Sequence, residues 1–185
     1  MKTADAVRKA AKDAGRVEPN VLVLEMDVCD RSSVEAAAKR VEEEWGQLDI
    51  LVNNAGHMAE FASLLDVDEE DYMRAWDVNY WGVFRTTKAF LPLMLKGGDK
   101  TIVNLSSVAA HYAGVGGGAY HVSKFALARF TECVQDEYGA QRREFLGGRW
   151  LSCRWDLPRL LEMEDEIVAK DLLKFKCTGL WNLEA

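Results

Sequence analysis

The chain has 185 residues, 49% of them hydrophobic and 10% aromatic, with a net charge of −7 at pH 7. This composition excludes a disordered chain, and the acidic balance argues against a nucleic-acid surface or an anionic membrane as partner. Length and composition therefore indicate one globular domain over residues 1–185 with no nucleic-acid partner.

Targeting and cysteine patterns point to the cytoplasm. No charged-then-apolar leader opens the sequence, and no uncharged run approaches the roughly eighteen residues that a membrane span needs. The cysteines are scattered, without the spacing of a zinc site or a disulfide framework, at Cys29, Cys133, Cys153 and Cys177. We expect reduced thiols, no metal, no membrane partner and a cytoplasmic location.

The first part of the chain alternates helical and strand patterns. Thr3–Ala14 is rich in alanine and lysine, as an amphipathic helix is, and Val21–Val28 has the apolar start of a strand buried on both faces. A capping box of Ser32 and Glu35 predicts the start of the next helix, which Gly46 ends. Such alternation is typical of an α/β fold with a parallel sheet.

A short polar motif follows the next predicted strand, Leu48–Val52, as Asn53-Asn54-Ala55-Gly56. Its small residues allow a ligand to approach the backbone closely. The side chains of Asn53 and Asn54 can bond backbone groups of neighbouring strands.

A long helical stretch, Asp68–Leu95, carries a group of aromatic residues, and we expect it to be interrupted around Val78–Trp81. Asn79 lies in this interruption. The aromatic residues serve either as core or as a helix–helix dimer face, and they are Trp76, Tyr80, Trp81, Phe84 and Phe90.

The stretch that carries chemistry begins with a strand pattern, Thr101–Leu105, which ends at Ser106 and Ser107. A glycine-dense loop follows, and then a helix from about Ala119 that bears Tyr120 and Lys124 on one face, because residues four apart are helical neighbours. A lysine ammonium favours the charged form of a neighbouring phenol, which suits tyrosine for acid–base catalysis. The same spacing also occurs by chance, so the pair acquires meaning only from its context.

That context resembles the short-chain dehydrogenase/reductase family, over about residues 3–140. The family's Tyr-x-x-x-Lys motif follows a strand-borne serine, which Ser107 matches at thirteen positions before Tyr120. The Asn-Asn-Ala-Gly motif is also present, and Asn79 in DVNYWGVF aligns with the asparagine of the family's catalytic tetrad. The resemblance implies a Rossmann-like, mostly parallel sheet with helices on both faces, here incomplete at both ends, and Val21–Val28, Leu48–Val52 and Thr101–Leu105 as adjacent central strands.

The resemblance also implies a function, the transfer of hydride between NAD or NADP and a small alcohol or carbonyl substrate. Tyr120 would carry the proton, Lys124 would hold the nicotinamide ribose, Ser107 would orient the carbonyl, and the main-chain carbonyl of Asn79 would hold a relay water. A structural, buried asparagine is the competing interpretation of Asn79. The residues implied in cofactor binding are Asp27, Val28, Asn53, Ala55, Gly56, Tyr120 and Lys124.

Two departures qualify that function. The sequence contains no Thr-Gly-x-x-x-Gly-x-Gly, whose backbone amides hold the cofactor pyrophosphate in the family, and Asp27 can equally cap a turn. Residues 141–185 diverge from the family, with a weak strand candidate at Trp150–Trp155 and a helix at Arg159–Lys176. We therefore expect weak or no activity, and the alternative is a non-catalytic remnant that acts as a helix-mediated interaction or dimerisation module. A homo-oligomer is expected from the family.

Overall fold

The computed structural model describes residues 2–98, 100–139, 162–170 and 172–173. In chain order its elements are α1 Lys2–Asp13, α2 Arg31–Trp45, β1 Ile50–Asn53, α3 Glu69–Trp76, a π-helical turn Asp77–Gly82, α4 Val83–Lys96, β2 Thr101–Asn104, a 3-10 turn Val108–Ala110, α5 Gly118–Tyr138 and α6 Glu164–Ala169. The predicted strand Trp150–Trp155, together with Cys153 and Cys177, lies outside the described residues. None of the described helices is both long and apolar enough to cross a membrane.

The sheet in the described part of the chain has two parallel strands. β1 and β2 pair from Ile50 with Thr101 to Asn53 with Asn104, so both strands end at the same edge. Helices α2 and α4 pack together beside β1 and form the main core, from Val34, Ala37, Ala38, Val41, Phe90 and Leu93. The parallel α/β fold is thus confirmed, and it brings the segments after both strands together.

The prediction of three adjacent strands fails for Val21–Val28, which forms no strand in the structure. Its side chains do alternate, because Leu24 and Met26 pack against the core while Val23 is 62% exposed. A strand, however, is defined by backbone hydrogen bonds to a neighbouring strand, and the described residues place none beside this segment. An apolar run therefore predicted the burial and not the pairing.

The start of α2 differs from the predicted one. The N-cap is Asp30, whose carboxylate accepts hydrogen bonds from the backbone N–H and the hydroxyl of Ser32, both at 2.8 Å. Ser32 therefore lies inside the first turn, and the predicted capping box does not form. A carboxylate at this position also faces the positive end of the helix dipole, which favours Asp30 over a serine cap. The other end is as predicted, since Gly46 closes the helix with a φ of 74°.

The remaining helices up to α5 follow the predicted plan, whereas the predicted C-terminal helix Arg159–Lys176 ends early, since Leu173 lies in a turn with a φ of 65°. The interruption expected around Val78–Trp81 is the π-helical turn between α3 and α4. Helix α5 begins at Gly118, one residue before the predicted start. Within the predicted C-terminal helix Arg159–Lys176, the structure describes α6 with its buried Ile167.

Candidate active site

Lys124 is the most unusual side chain near the carboxyl ends of the strands. The residue is only 4% exposed, and its Nζ donates a hydrogen bond to the carbonyl oxygen of Leu105 at 2.7 Å. The same nitrogen lies 5.7 Å from the centre of the Tyr120 ring, one turn earlier on α5. Burial lowers the pKa of Lys124, because removal from water disfavours the ammonium. The structure therefore brings the predicted Tyr/Lys pair together at the end of β2.

The two serines after β2 have different partners. The Ser106 hydroxyl donates to the backbone carbonyl of Lys124 at 3.3 Å, which ties the end of the strand to α5. The Ser107 Oγ accepts a hydrogen bond from the N–H of Ala109 at 3.2 Å and caps the 3-10 turn. Ser107 thus keeps its own O–H as a donor, as an orienting hydroxyl requires.

Asn79 lies in the π-helical turn and is fully buried. Its Oδ1 accepts from the backbone N–H of His57 at 2.8 Å, and its Nδ2 donates to the backbone carbonyl of His57 at 2.8 Å and to Ser123 Oγ at 3.0 Å. The side-chain amide of Asn79 therefore joins the loop after β1 to α5. This agrees with the interpretation of Asn79 as a buried, structural asparagine. These contacts use the side chain alone, so the proposed role of the main-chain carbonyl is independent of them.

His57 follows the Asn-Asn-Ala-Gly motif directly and was missed by the sequence reasoning. Its Nε2 lies 2.6 Å from Asp71 Oδ1, while Asp71 Oδ2 accepts from the N–H of Glu60 at 2.7 Å. The hydrogen bond from His57 is the main reason that the pKa of Asp71 lies below its usual value. Asp71 thus fastens the loop after β1 to α3. The only sequence signal was a histidine directly after a recognised motif.

The asparagines at the strand ends bind each other rather than backbone groups. Asn53 Nδ2 donates to Asn104 Oδ1 at 2.8 Å and to Thr87 Oγ1 at 3.3 Å, and Asn104 Nδ2 donates to Thr131 Oγ1 at 2.9 Å. This corrects the expectation that Asn53 bonds backbone groups. The side chains link β1, β2, α4 and α5 into one rigid edge.

Gly56 marks where the loop backbone passes the buried lysine. A methyl group in place of its hydrogen would lie 3.8 Å from Lys124 Nζ and 3.6 Å from Asn79 Oδ1. Two of the other predicted cofactor positions, Val28 and Ala55, line a separate cavity of about 200 Å³ together with Asn53. The structure thus groups the motif residues around Lys124 and around this cavity.

Asp27 occupies a turn, as its alternative interpretation holds. Its Oδ1 accepts from the N–H of Cys29 at 2.8 Å, and its own N–H donates to Ser33 Oγ at 2.9 Å. The carboxylate is solvent-exposed. These bonds account for Asp27 without a ligand.

A second cavity, of about 180 Å³, lies beside Tyr120. The glycine-dense loop forms one wall, as its composition predicted, and the loop from Ala59 to Val67 forms the other. Ser107, Asn79 and Lys124 are not part of its lining. Tyr120 is therefore the predicted catalytic residue that a small molecule in this cavity would touch.

Comparison with known proteins shows the family to which the chain belongs. The model of the short chain dehydrogenase family matches residues 1–142. The short chain dehydrogenase mpl6 of Monascus purpureus is 37% identical to this chain. The alignment covers 92% of this chain and 74% of that protein.

Solved structures of similar fold include two dehydrogenases. An aldohexose dehydrogenase of Thermoplasma acidophilum has a TM-score of 0.62 at 27% identity, over 72% of this chain and 56% of its own. A short chain dehydrogenase of Shigella flexneri complexed with NADP has a TM-score of 0.65 at 25% identity, over 75% and 58%. The chain thus spans somewhat more than half the length of these structures.

Proposed function

Because this chain belongs to the short-chain dehydrogenase family, we propose that Tyr120, Lys124, Ser107 and Asn79 form a site for hydride transfer between a nicotinamide cofactor and a carbonyl or alcohol. The observation that carries the proposal is the burial of Lys124 beside Tyr120. Burying an amine that can carry charge costs free energy, and such a group in an α/β strand-end site indicates a functional use.

The cofactor, when bound, supplies or accepts the hydride. In the direction of reduction, Tyr120 would give its phenolic proton to the carbonyl oxygen of the substrate, which becomes the hydroxyl of the alcohol. Ser107 donates a hydrogen bond to the same oxygen, and Lys124 provides positive charge beside the proton carrier. Asn79 fixes the loop that carries Gly56 against the lysine.

The residues of this chain fit part of the cofactor. The close approach of Gly56 to Lys124 and the cavity lined by Val28, Asn53 and Ala55 suit a ribose and an apolar ring. The sequence offers no glycine-rich turn for the diphosphate. We therefore propose a weakly active or inactive enzyme.

A second candidate function is association through helices. It rests on an aromatic surface that the π-helical turn, α4 and α5 form together. Tyr80, Trp81, Phe84 and Phe130 form a chain of ring contacts with centroid distances of 5.2 to 6.0 Å. Trp81 is 46% exposed. A rigid aromatic surface of this kind suits a dimer face.

Turnover of a carbonyl compound with NADH or NADPH tests the proposal. Tyr120→Phe should lower kcat by about 10²- to 10⁴-fold, since that is the usual contribution of an acid–base group. Tyr138→Phe is the matched control, because Tyr138 lies on the same helix and is 49% exposed. Equal turnover by the Tyr120→Phe and wild-type proteins would reject the assignment.

A further inference from the structure

The cavity beside Tyr120 has one wall of bare backbone, which His121 holds in place. His121 is 7% exposed, and its Nδ1 lies 2.9 Å from the carbonyl oxygen of Tyr112 and 3.1 Å from the N–H nitrogen of Gly114. A methyl group on Gly117 would lie 2.6 Å from His121 Nε2, and one on Gly114 would lie 2.9 Å from the ring carbon Cε1. Only glycine leaves room for the ring at these two positions, so the packing of His121 fixes this wall.

The facing wall is joined to the glycine loop directly. The N–H of Ala62 donates to the carbonyl oxygen of Gly116 at 3.2 Å, and Gly116 has a φ of 77° that favours glycine. The ring of Phe61 meets that of His121 edge-on at 6.4 Å. The Asp71 carboxylate holds Glu60 from the other side. The width of the cavity is therefore set by contacts within the chain before any ligand binds.

The size of the cavity limits what it accepts. Its volume of about 180 Å³ is slightly above the ~150 Å³ of an engineered apolar protein cavity that binds benzene. One six-membered ring fits this volume, and the glycine wall offers it backbone without side chains.

The lining decides the chemistry of that ring. Apolar side chains predominate, with Ala59, Ala62, Leu64, Val67 and Ala119. The polar side chains of the lining are the phenols of Tyr120 and Tyr72 and the exposed carboxylate of Glu60. Glu60 repels an anion at the rim. A sugar hydroxyl buried there without a hydrogen-bond partner would lose its hydration uncompensated, which disfavours a polyol.

We infer that the cavity takes an uncharged carbonyl compound or carbinol built on a single apolar ring, with its oxygen at Tyr120. This inference rests on the proposed function for the direction of the oxygen, and it separates this chain from the aldohexose dehydrogenase that shares its fold.

Binding of acetophenone, measured by calorimetry and by saturation-transfer NMR, tests the inference without turnover. We expect millimolar affinity for acetophenone and no binding of D-glucose at about ten times that concentration. Ala62→Leu fills the cavity and should weaken acetophenone binding about tenfold or more. Ala36→Leu is the control, since Ala36 is exposed on α2.

Gly118→Ala is a second cavity variant, so that the test does not depend on the folding of the Ala62→Leu protein. Its added methyl group would meet the Tyr72 ring at ordinary contact distances of 3.7 and 3.8 Å, and alanine favours the helix. We expect it to fold and to weaken binding about threefold. No binding of acetophenone, equal binding of glucose, or binding that both cavity variants leave unchanged would overturn the inference.

The Tyr120→Phe protein separates the two proposals. It should lose turnover but bind acetophenone no more than about tenfold more weakly than wild type, because phenylalanine removes one hydrogen bond and keeps the shape of the wall. Turnover that depends on Tyr120 with a polyol substrate would sink the inference and leave the proposed function intact. Ring-selective binding with turnover indifferent to Tyr120 would do the reverse.

Discussion

At the scale of single residues, Lys124 shows the cost of a buried functional group. Because burial lowers its pKa in the folded protein, the unfolded chain holds the proton more tightly. Stability should therefore rise as pH increases through the folded pKa towards the ordinary value of 10.5. The loss of stability that results from burying the charged amine is present at neutral pH.

Lys124→Met should accordingly raise the free energy of unfolding at pH 7, by about 1–4 kcal/mol at most, while abolishing any turnover. Urea denaturation measures it, and the gap between variant and wild type should narrow near pH 10. Lys39→Met, on the exposed side of α2, is the control. A Lys124→Met protein less stable than wild type would contradict this account.

Cys29 gives a second prediction at this scale. Burial raises the pKa of its thiol from 9.0 to about 11, and the hydrogen bond and charge of Asp77 add to the effect. The reactive thiolate is thus scarce, and iodoacetamide at pH 8 should modify Cys29 about a hundredfold more slowly than the same cysteine in an unfolded peptide. Site-resolved mass spectrometry measures the rates.

The Asp77→Asn protein is the matched test of the cause. Removal of the carboxylate takes away the hydrogen bond and charge that help to raise the pKa of Cys29. It also frees Arg85, which pairs with Asp77 at 2.7 Å, and Asp27 is then the negative charge that remains near the thiol. The modification of Cys29 should therefore become faster. Equal rates in the folded protein and the peptide would show that the environment of Cys29 is ordinary.

At the scale of elements, the π-helical turn places one asparagine and one aromatic cluster. The widened turn lies between α3 and α4, with Asn79 buried towards α5 and Trp81 exposed on the outside. An insertion of this kind changes the face that each following residue presents, and π-bulges are frequent at functional sites. The same local feature therefore serves both candidate functions.

Association through α4 and α5 should be visible in sedimentation at micromolar concentration. We expect a dimer for wild type and, because a buried unpaired carboxylate is costly, a monomer for Trp81→Glu. Trp45→Glu is the matched control, since Trp45 is 43% exposed at the end of α2. A wild-type protein that sediments only as a 20.8 kDa monomer would contradict the prediction.

At the scale of the whole molecule, the affinity for the dinucleotide follows from what the sequence lacks. The predicted contacts at Val28, Asn53, Gly56 and Lys124 would contribute about 0.5–1.5 kcal/mol for each ordinary hydrogen bond. Each bond to a charged phosphate is worth about 1.5–3 kcal/mol, so losing two weakens binding by roughly two to four powers of ten.

We therefore expect millimolar or no binding of NAD(H) and NADP(H) in titration calorimetry. A buffer-matched titration of the Lys124→Met protein gives the background. Micromolar affinity would contradict the prediction and would mean that a segment not recognised from the sequence binds the diphosphate.

The sequence alone determined the family, the parallel order of Leu48–Val52 and Thr101–Leu105, and the interruption at Asn79. These features depend on local patterns, namely short apolar runs, motif spacing and four-residue helical neighbours, which are independent of distant packing. The Tyr120/Lys124 pair belongs here too, because both residues are on one helix.

The tertiary structure alone decided which groups each motif residue meets. Val21–Val28 has no strand partner among the residues that the structure describes, and Asn53 binds Asn104, a residue 51 positions away. His121 became visible as the residue that holds one wall of a cavity, and His57 as the partner of Asp71, only when the folded chain placed Gly114 and Asp71 beside them. Such contacts join residues distant in sequence, and a side chain's partner is set by the packing of whole elements, which no local pattern encodes.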